Sequence, residues 1–180
     1  MTRRHTRIAT EIGELTLVAD GDYLVGLYFP GHWYLPPADS YGPFVGATVD
    51  PIFKQAEREL SEYFAGDRTQ FDVPVQTSGD ELSEQVWERL RAIPYGKTVT
   101  YGQIATELGN RHLAQRVGQA VGHNPVSIIV PCHRVVGSNG SLTGFAGDSS
   151  VSSGCSRLKS RPKPRPRDCF RGQDHGRTLW

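Results

Sequence analysis

The sequence predicts an α+β fold built from two small units and followed by a chemically different tail. Three observations carry this reading. Short runs of alternating apolar and polar residues fill positions 8 to 29, apolar residues at helical spacing fill 51 to 66 and 82 to 123, and both patterns have stopped by residue 148. A chain of 180 residues has room for one ordinary domain or two small ones, and 37% apolar with 22% charged residues are globular proportions.

Ile8 to Thr10, Leu15 to Ala19 and Tyr23 to Phe29 read as strands of a meander, with turns at Gly13-Glu14 and Asp20-Gly21-Asp22. Residues 30 to 50, which include Pro30, Pro36, Pro37 and Pro43, are connection rather than core. Pro51 opens a helix with Phe53, Ala56, Leu60, Tyr63 and Phe64 on one face, and Gly66 stops it. A linker, 67 to 79, holds a short strand near Phe71 to Val75, so the first unit closes at residue 78. Ser78 and Glu81 form a capping-box pair ahead of a helix bearing Leu82, Val86, Trp87, Leu90 and Ile93, which Pro94-Tyr95-Gly96 ends. Thr100 and Gln103 repeat that pair before a short helix with Tyr101, Ile104, Ala105 and Leu108, stopped by Gly109-Asn110. Leu113, Val117, Ala120 and Val121 mark one more helix, ending before Asn124-Pro125. Two short helices across a glycine-containing turn outline a helix-turn-helix, an outline shared with helical hairpins that bind nothing. The second unit thus spans 79 to 147.

The net charge of +1 hides a division. Residues 1 to 147 carry 12 Lys+Arg against 16 Asp+Glu, whereas 148 to 180 carry 8 against 3 and are dominated by Ser, Arg and Pro. Such a segment has too little apolar surface to offset its ordering entropy and reads as disordered. No run approaches the roughly 18 to 20 apolar residues of a membrane helix, and the basic start leads into Glu11 and Glu14, which places the protein in the cytoplasm, away from membranes. Cys132, Cys155 and Cys169 contain no CxxC pair and the six histidines are scattered, so neither a disulfide framework nor a metal site is read.

The chemistry concentrates after the last helix. Val126 to Val130 is a β-branched apolar run ending in Pro131-Cys132-His133-Arg134-Val135. A thiol with its ordinary pKa of about 8.5 is mostly protonated at neutral pH, so a nucleophilic cysteine needs a base or positive charge nearby. His133 and Arg134 are candidates, the alternative being an inert buried cysteine beside a surface histidine. Neighbours on a strand face opposite ways, so His133 serves as base only if the backbone turns, as Pro131 allows.

These residues resemble the O6-alkylguanine-DNA alkyltransferases, also called methylated-DNA–protein-cysteine methyltransferases. The resemblance runs through Val86-Trp87, Ile93-Pro94-Tyr95-Gly96, Thr100-Tyr101, Ile104-Ala105, Val117-Gly118, Asn124-Pro125, Pro131 to Val135 and Gly144-Phe145. It implies a ribonuclease-H-like N-terminal α/β domain and a winged-helix-like C-terminal domain. It also implies irreversible transfer of an alkyl group from guanine O6 or thymine O4 to a cysteine, by a monomer acting on alkylated double-stranded DNA without a cofactor. Carried over residue by residue, Cys132 is the nucleophile, His133 takes its proton through a water, Asn124 braces the site and Tyr101 hydrogen-bonds the departing base. Ala114, Gln115, Arg116, Gly118 and Arg134 fall at DNA-contacting positions. From the residues alone, Tyr101 reads as a core aromatic on an amphipathic helix and Asn124 as a turn residue before proline.

A helix of about 10 to 12 Å enters a minor groove of about 6 Å only if the groove widens, which small side chains assist. Ala114, Gly118 and Gly122 recur every fourth residue and would form such a face, or else mark close helix packing. Where the family usually carries an intercalating arginine this chain has Gln115, with Arg116 next, so the wedge is glutamine or the helix start shifts. Phe145 stands where tyrosine is usual. After Gly147 the family continues into a helix whose glutamate holds the catalytic histidine, whereas Glu107 is the last glutamate here. The tail has the composition of a GC-rich gene read in the wrong frame, the alternative being an evolved basic DNA arm. Two other functions share parts of the pattern. An alkyltransferase-like damage-binding protein with impaired transfer has the same fold, and a cysteine hydrolase needs an oxyanion motif that is not evident.

Overall fold

The computed structural model describes residues 3–32, 34–138 and 140. The expectations for Gly144 to Gly147, Cys155, Cys169 and the 148–180 tail lie outside the described residues.

The meander forms as an antiparallel sheet in the order β1 (Arg3–Thr10), β2 (Gly13–Asp20), β3 (Tyr23–Tyr28). β1 begins five residues earlier than its apolar pattern suggests. Polar Arg3 to Arg7 become strand because all five pair with β2, and Thr6 and Ile8 turn inward while Arg7 faces out. At the β2–β3 turn Gly21 takes φ +57°, the left-handed geometry that a two-residue hairpin requires.

α1 (Pro51–Ala65) has the predicted ends. Asp50 accepts from the Ile52 N–H at 3.1 Å while pairing with Arg4, Pro51 occupies the first turn, and Gly66 closes the helix at φ +87°. Its apolar face, Phe53, Ala56, Leu60, Tyr63 and Phe64, packs on Leu15, Leu17, Leu24 and Leu27 of the sheet. Within the same helix Glu59 is fully buried, its carboxylate accepting from the Asp72 and Val73 N–H groups at 2.8 and 3.1 Å and from the Gln55 amide at 2.8 Å. The strand expected over Phe71 to Val75 is reduced to one bridge, Leu24 to Val75, because Pro74 has no N–H with which to extend a ladder.

The cap of α2 (Glu81–Arg91) corrects the sequence reading. Asp80, not Ser78, accepts from the Ser83 N–H, at 2.8 Å, since it stands next to the first helical residue. The Thr100–Gln103 box forms in both directions ahead of α3 (Tyr101–Glu107). A single 3-10 turn, Arg111–Leu113, then leads into α4 (Ala114–Gly122), which is locked to α2 by the Trp87 indole donating to the Ala120 carbonyl at 2.8 Å. A two-residue parallel pair, β4 (Val99–Thr100) with β5 (Val135–Val136), ties the far end of the second unit together. The two units share one apolar core, and Leu27 of β3 donates to the Pro125 carbonyl at 2.8 Å across them. Among the described residues no helix is long and apolar enough to cross a membrane.

Glu59→Ala strips the buried Val73 amide and the part-buried Asp72 amide of their acceptor and is expected to lower stability by about 2–4 kcal/mol, measured by urea unfolding. A loss below about 0.5 kcal/mol would show that the carboxylate is not what holds the 72–73 segment.

Candidate active site

Asn124 turns the chain out of α4 and fixes the shape of the 126–130 segment. It is 1% exposed, its Oδ1 accepts from the Val126 N–H at 3.1 Å and its Nδ2 donates to the Val130 carbonyl at 2.8 Å. Bracketed in this way, the β-branched run folds into a loop closed by Val130 N–H to the Val126 carbonyl at 3.0 Å, instead of the extended strand its composition suggests. Inside the loop Ile128 adopts φ +73°, a conformation that costs a β-branched residue of the order of 1–3 kcal/mol.

After Pro131 a 3-10 turn, Cys132–Arg134, provides the change of direction that His133 needs and that an alternating strand would deny it. Cys132 is 4% exposed. Burial pushes its thiol up, and the side chains of Asn124 and Ser127 together with the N–H groups of Ile128 and His133 pull it back by hydrogen bonding the charged form. Burial is the larger effect, so the resting sulfur is a thiol.

The other predicted residues gather around it. Tyr101, the first residue of α3, is close enough for a charge on Cys132 to raise its hydroxyl pKa beyond the rise that burial causes. Its ring covers Gly118, where a Cβ would meet it at 3.8 Å. His133 is buried, with Nε2 at 3.2 Å from the Tyr63 hydroxyl of α1. That hydroxyl also lies 3.2 Å from the Arg134 guanidinium, from which it accepts, so one phenolic oxygen links His133 to Arg134.

Arg134 corrects the expectation of a DNA contact. It is buried, donates to the Ile93 carbonyl at 2.6 Å and lies 5.6 Å over the Tyr95 ring, so its charge is satisfied inside the protein. On α4, Gln115 and Arg116 are exposed, Ala114 and Gly118 are half-buried and Gly122 is buried. The three small residues therefore form no continuous outer face. Sequence reasoning missed Tyr63, Ser127, Ile128 and His32. Tyr63 carried only the signal of a core aromatic, and Ser127 sat inside an apolar run that reads as strand.

Two domain families match. The ribonuclease-like domain of 6-O-methylguanine DNA methyltransferase matches residues 4–77, and the DNA binding domain of the same protein matches residues 81–159. The methylated-DNA–protein-cysteine methyltransferase of Mycobacterium tuberculosis (strain ATCC 25618 / H37Rv) is 44% identical over 140 residues, 78% of this chain and 82% of its own. The constitutive enzyme of Bacillus subtilis (strain 168) is 34% identical over 146 residues, 81% of this chain and 88% of its own. The crystal structure of Mycobacterium tuberculosis O6-methylguanine methyltransferase superposes with a TM-score of 0.76 at 38% identity, covering 91% of this chain and 97% of that one. A structure of Mycobacterium tuberculosis OGT in complex with DNA gives 0.74 at 38%, covering 87% and 95%. Fold and similarities together define the class, a ribonuclease-like domain joined to a DNA-binding domain. The chain belongs to the methylated-DNA–protein-cysteine methyltransferase family, the transferases of direct-reversal DNA repair.

The Cys132 surroundings make a pH prediction. With burial holding the thiol above its ordinary value, its reaction with iodoacetamide should rise with pH through a midpoint above about 8.5. Asn124→Ala removes a donor to the thiolate and should move that midpoint further up; an unchanged or lower midpoint would show that Asn124 does not support the sulfur.

Proposed function

We propose that the protein acts as a monomer that removes alkyl groups from guanine O6 and thymine O4 in double-stranded DNA and retains them on Cys132, one per molecule. The observation that supports this best is the buried sulfur with four hydrogen-bonding groups that favour its charged form, on the segment that follows α4, a helix whose Gln115 and Arg116 are exposed. The Asn124 amide and the Ile128 and His133 N–H groups need no reorganisation as negative charge develops on sulfur.

In this reading His133 receives the thiol proton through a water. The thiolate attacks the alkyl carbon in line with the oxygen, the S–C bond forming as the C–O bond breaks, and the electron pair passes to the base. Tyr101 donates a hydrogen bond to the departing base, a role suited to a hydroxyl kept protonated by burial. Since Cys132 is buried, a base stacked in the duplex cannot reach it, so the nucleotide is flipped out. α4 meets the minor groove with Gln115 and Arg116, and Ala114 and Gly118 keep the contact shallow, so little base identity is read. The thioether product has no route back to a thiol, and turnover stops after one event.

Incubation with duplex DNA containing O6-methylguanine should add one methyl mass per protein, mapped to the Cys132 peptide and absent in Cys132→Ser. Label on Cys155 or Cys169, or several repaired lesions per protein, would overturn the reading. Arg116→Ala should slow duplex repair about tenfold or more while leaving reaction with the free alkylated base unchanged. If Gln115→Ala alone shows that pattern, glutamine is the wedge and Arg116 only a phosphate contact.

A further inference from the structure

The loop that leaves β3 brings a buried histidine to Ser127, next to the sulfur. His32 Nδ1 is 3.0 Å from the Tyr34 carbonyl oxygen, and its Nε2 is 3.0 Å from the Ser127 hydroxyl, which in turn lies 3.9 Å from Cys132 Sγ. All three side chains are buried. From these contacts we propose that Ser127 and His32 form a second proton path from Cys132, resting on the reading of Cys132 as the nucleophile.

The direction of the path is set by the chemistry of its ends. Nδ1 faces the Tyr34 carbonyl at 3.0 Å and, less closely, the Tyr34 N–H at 3.4 Å; the nearer carbonyl only accepts, so Nδ1 carries the proton and Nε2 of the neutral ring presents a lone pair. Ser127 has a single proton, which it donates to Nε2, leaving its oxygen to accept from the Cys132 thiol. Transfer then conserves every atom. The thiol proton moves to Ser127 Oγ, the former Ser127 proton moves to His32 Nε2, and the result is a thiolate and an imidazolium. Both hydrogen bonds reverse, so Ser127 now donates to the sulfur and accepts from His32. The thiolate thereby gains the donor it needs at the moment it forms.

The surroundings favour a histidine that rests neutral. Phe29 and Tyr28 cover the ring with centroids at 4.7 and 5.4 Å, and the Tyr28 hydroxyl, pushed up to about 12, carries no charge at neutral pH. Among the described residues the Tyr34 carbonyl and N–H, Ser127 and, beyond it, Cys132 also face the ring. Burial lowers the pKa of His32 itself, with the Tyr34 carbonyl partly opposing, so the ring is free to accept a proton near neutrality.

The test is the single-turnover rate of methyl transfer from O6-methylguanine duplex against pH, for wild type, His32→Gln, Ser127→Ala and the double variant. Iodoacetamide labelling of Cys132 is measured over the same range, with melting temperature as the check on folding. Each single variant should slow transfer roughly tenfold at neutral pH, less than the full worth of a general base because His133 supplies a parallel route. The deficit should vanish at high pH, where solvent hydroxide removes the thiol proton, and the double variant should match the singles because they interrupt one path. An unchanged profile, a loss equal at every pH, or multiplied losses in the double variant would overturn the proposal. If the wild type transfers no methyl group to Cys132, the functional reading fails instead, and the labelling profiles still decide whether the path exists.

Discussion

Everything else in the second unit serves one balance of forces at the Cys132 sulfur, where burial disfavours a charge and four hydrogen-bond donors favour it. The donors converge because Asn124 holds both ends of the 126–130 loop, and the energy stored at Ile128 is tolerated only because that bracket over-determines the turn. A thiol kept neutral at rest suits a protein whose nucleophile is used once, since electrophiles in solution meet a protonated, inaccessible sulfur. The Asn124 and backbone donors are already in place when a substrate carbon arrives.

The first unit is part of this arrangement. α1 presents Tyr63 to both His133 and Arg134, the loop after β3 presents His32 to Ser127, and Leu27 holds the Pro125 carbonyl. Arg134 lies inside this joint, with Ile93 at the end of α2 on one side and Tyr63 on the other. Its burial is tolerated because its donors meet a carbonyl and a phenolic oxygen and its face meets Tyr95.

What the sequence made legible was whatever is decided locally. The ends of α1 followed from Asp50, Pro51 and Gly66, and the start of α3 from Thr100 and Gln103, because caps are contacts within a few residues. Cys132, Asn124, Tyr101 and His133 were found through resemblance, and the structure brings them to one place. Long-range pairing decided the rest. The polar start of β1 is strand only because β2 lies beside it, and the apolar 126–130 run is a loop only because Asn124 clamps it. Arg134 was read as a charge for Cys132 or a DNA contact, because nothing near it in sequence reveals Tyr63 or the Ile93 carbonyl. His32 and Ser127 are 95 positions apart, and neither carries a local sign of the other.

The central claim, that the sulfur rests as a buried and hydrogen-bonded thiol, is open to direct observation. Infrared difference spectra of wild type against Cys132→Ser at neutral pH should contain an S–H stretching band assigned to Cys132, shifted to lower frequency than that of a free thiol by its hydrogen bond. Absence of that band, as from a thiolate already formed at rest, or a band at the frequency of an unbonded thiol, would contradict the account.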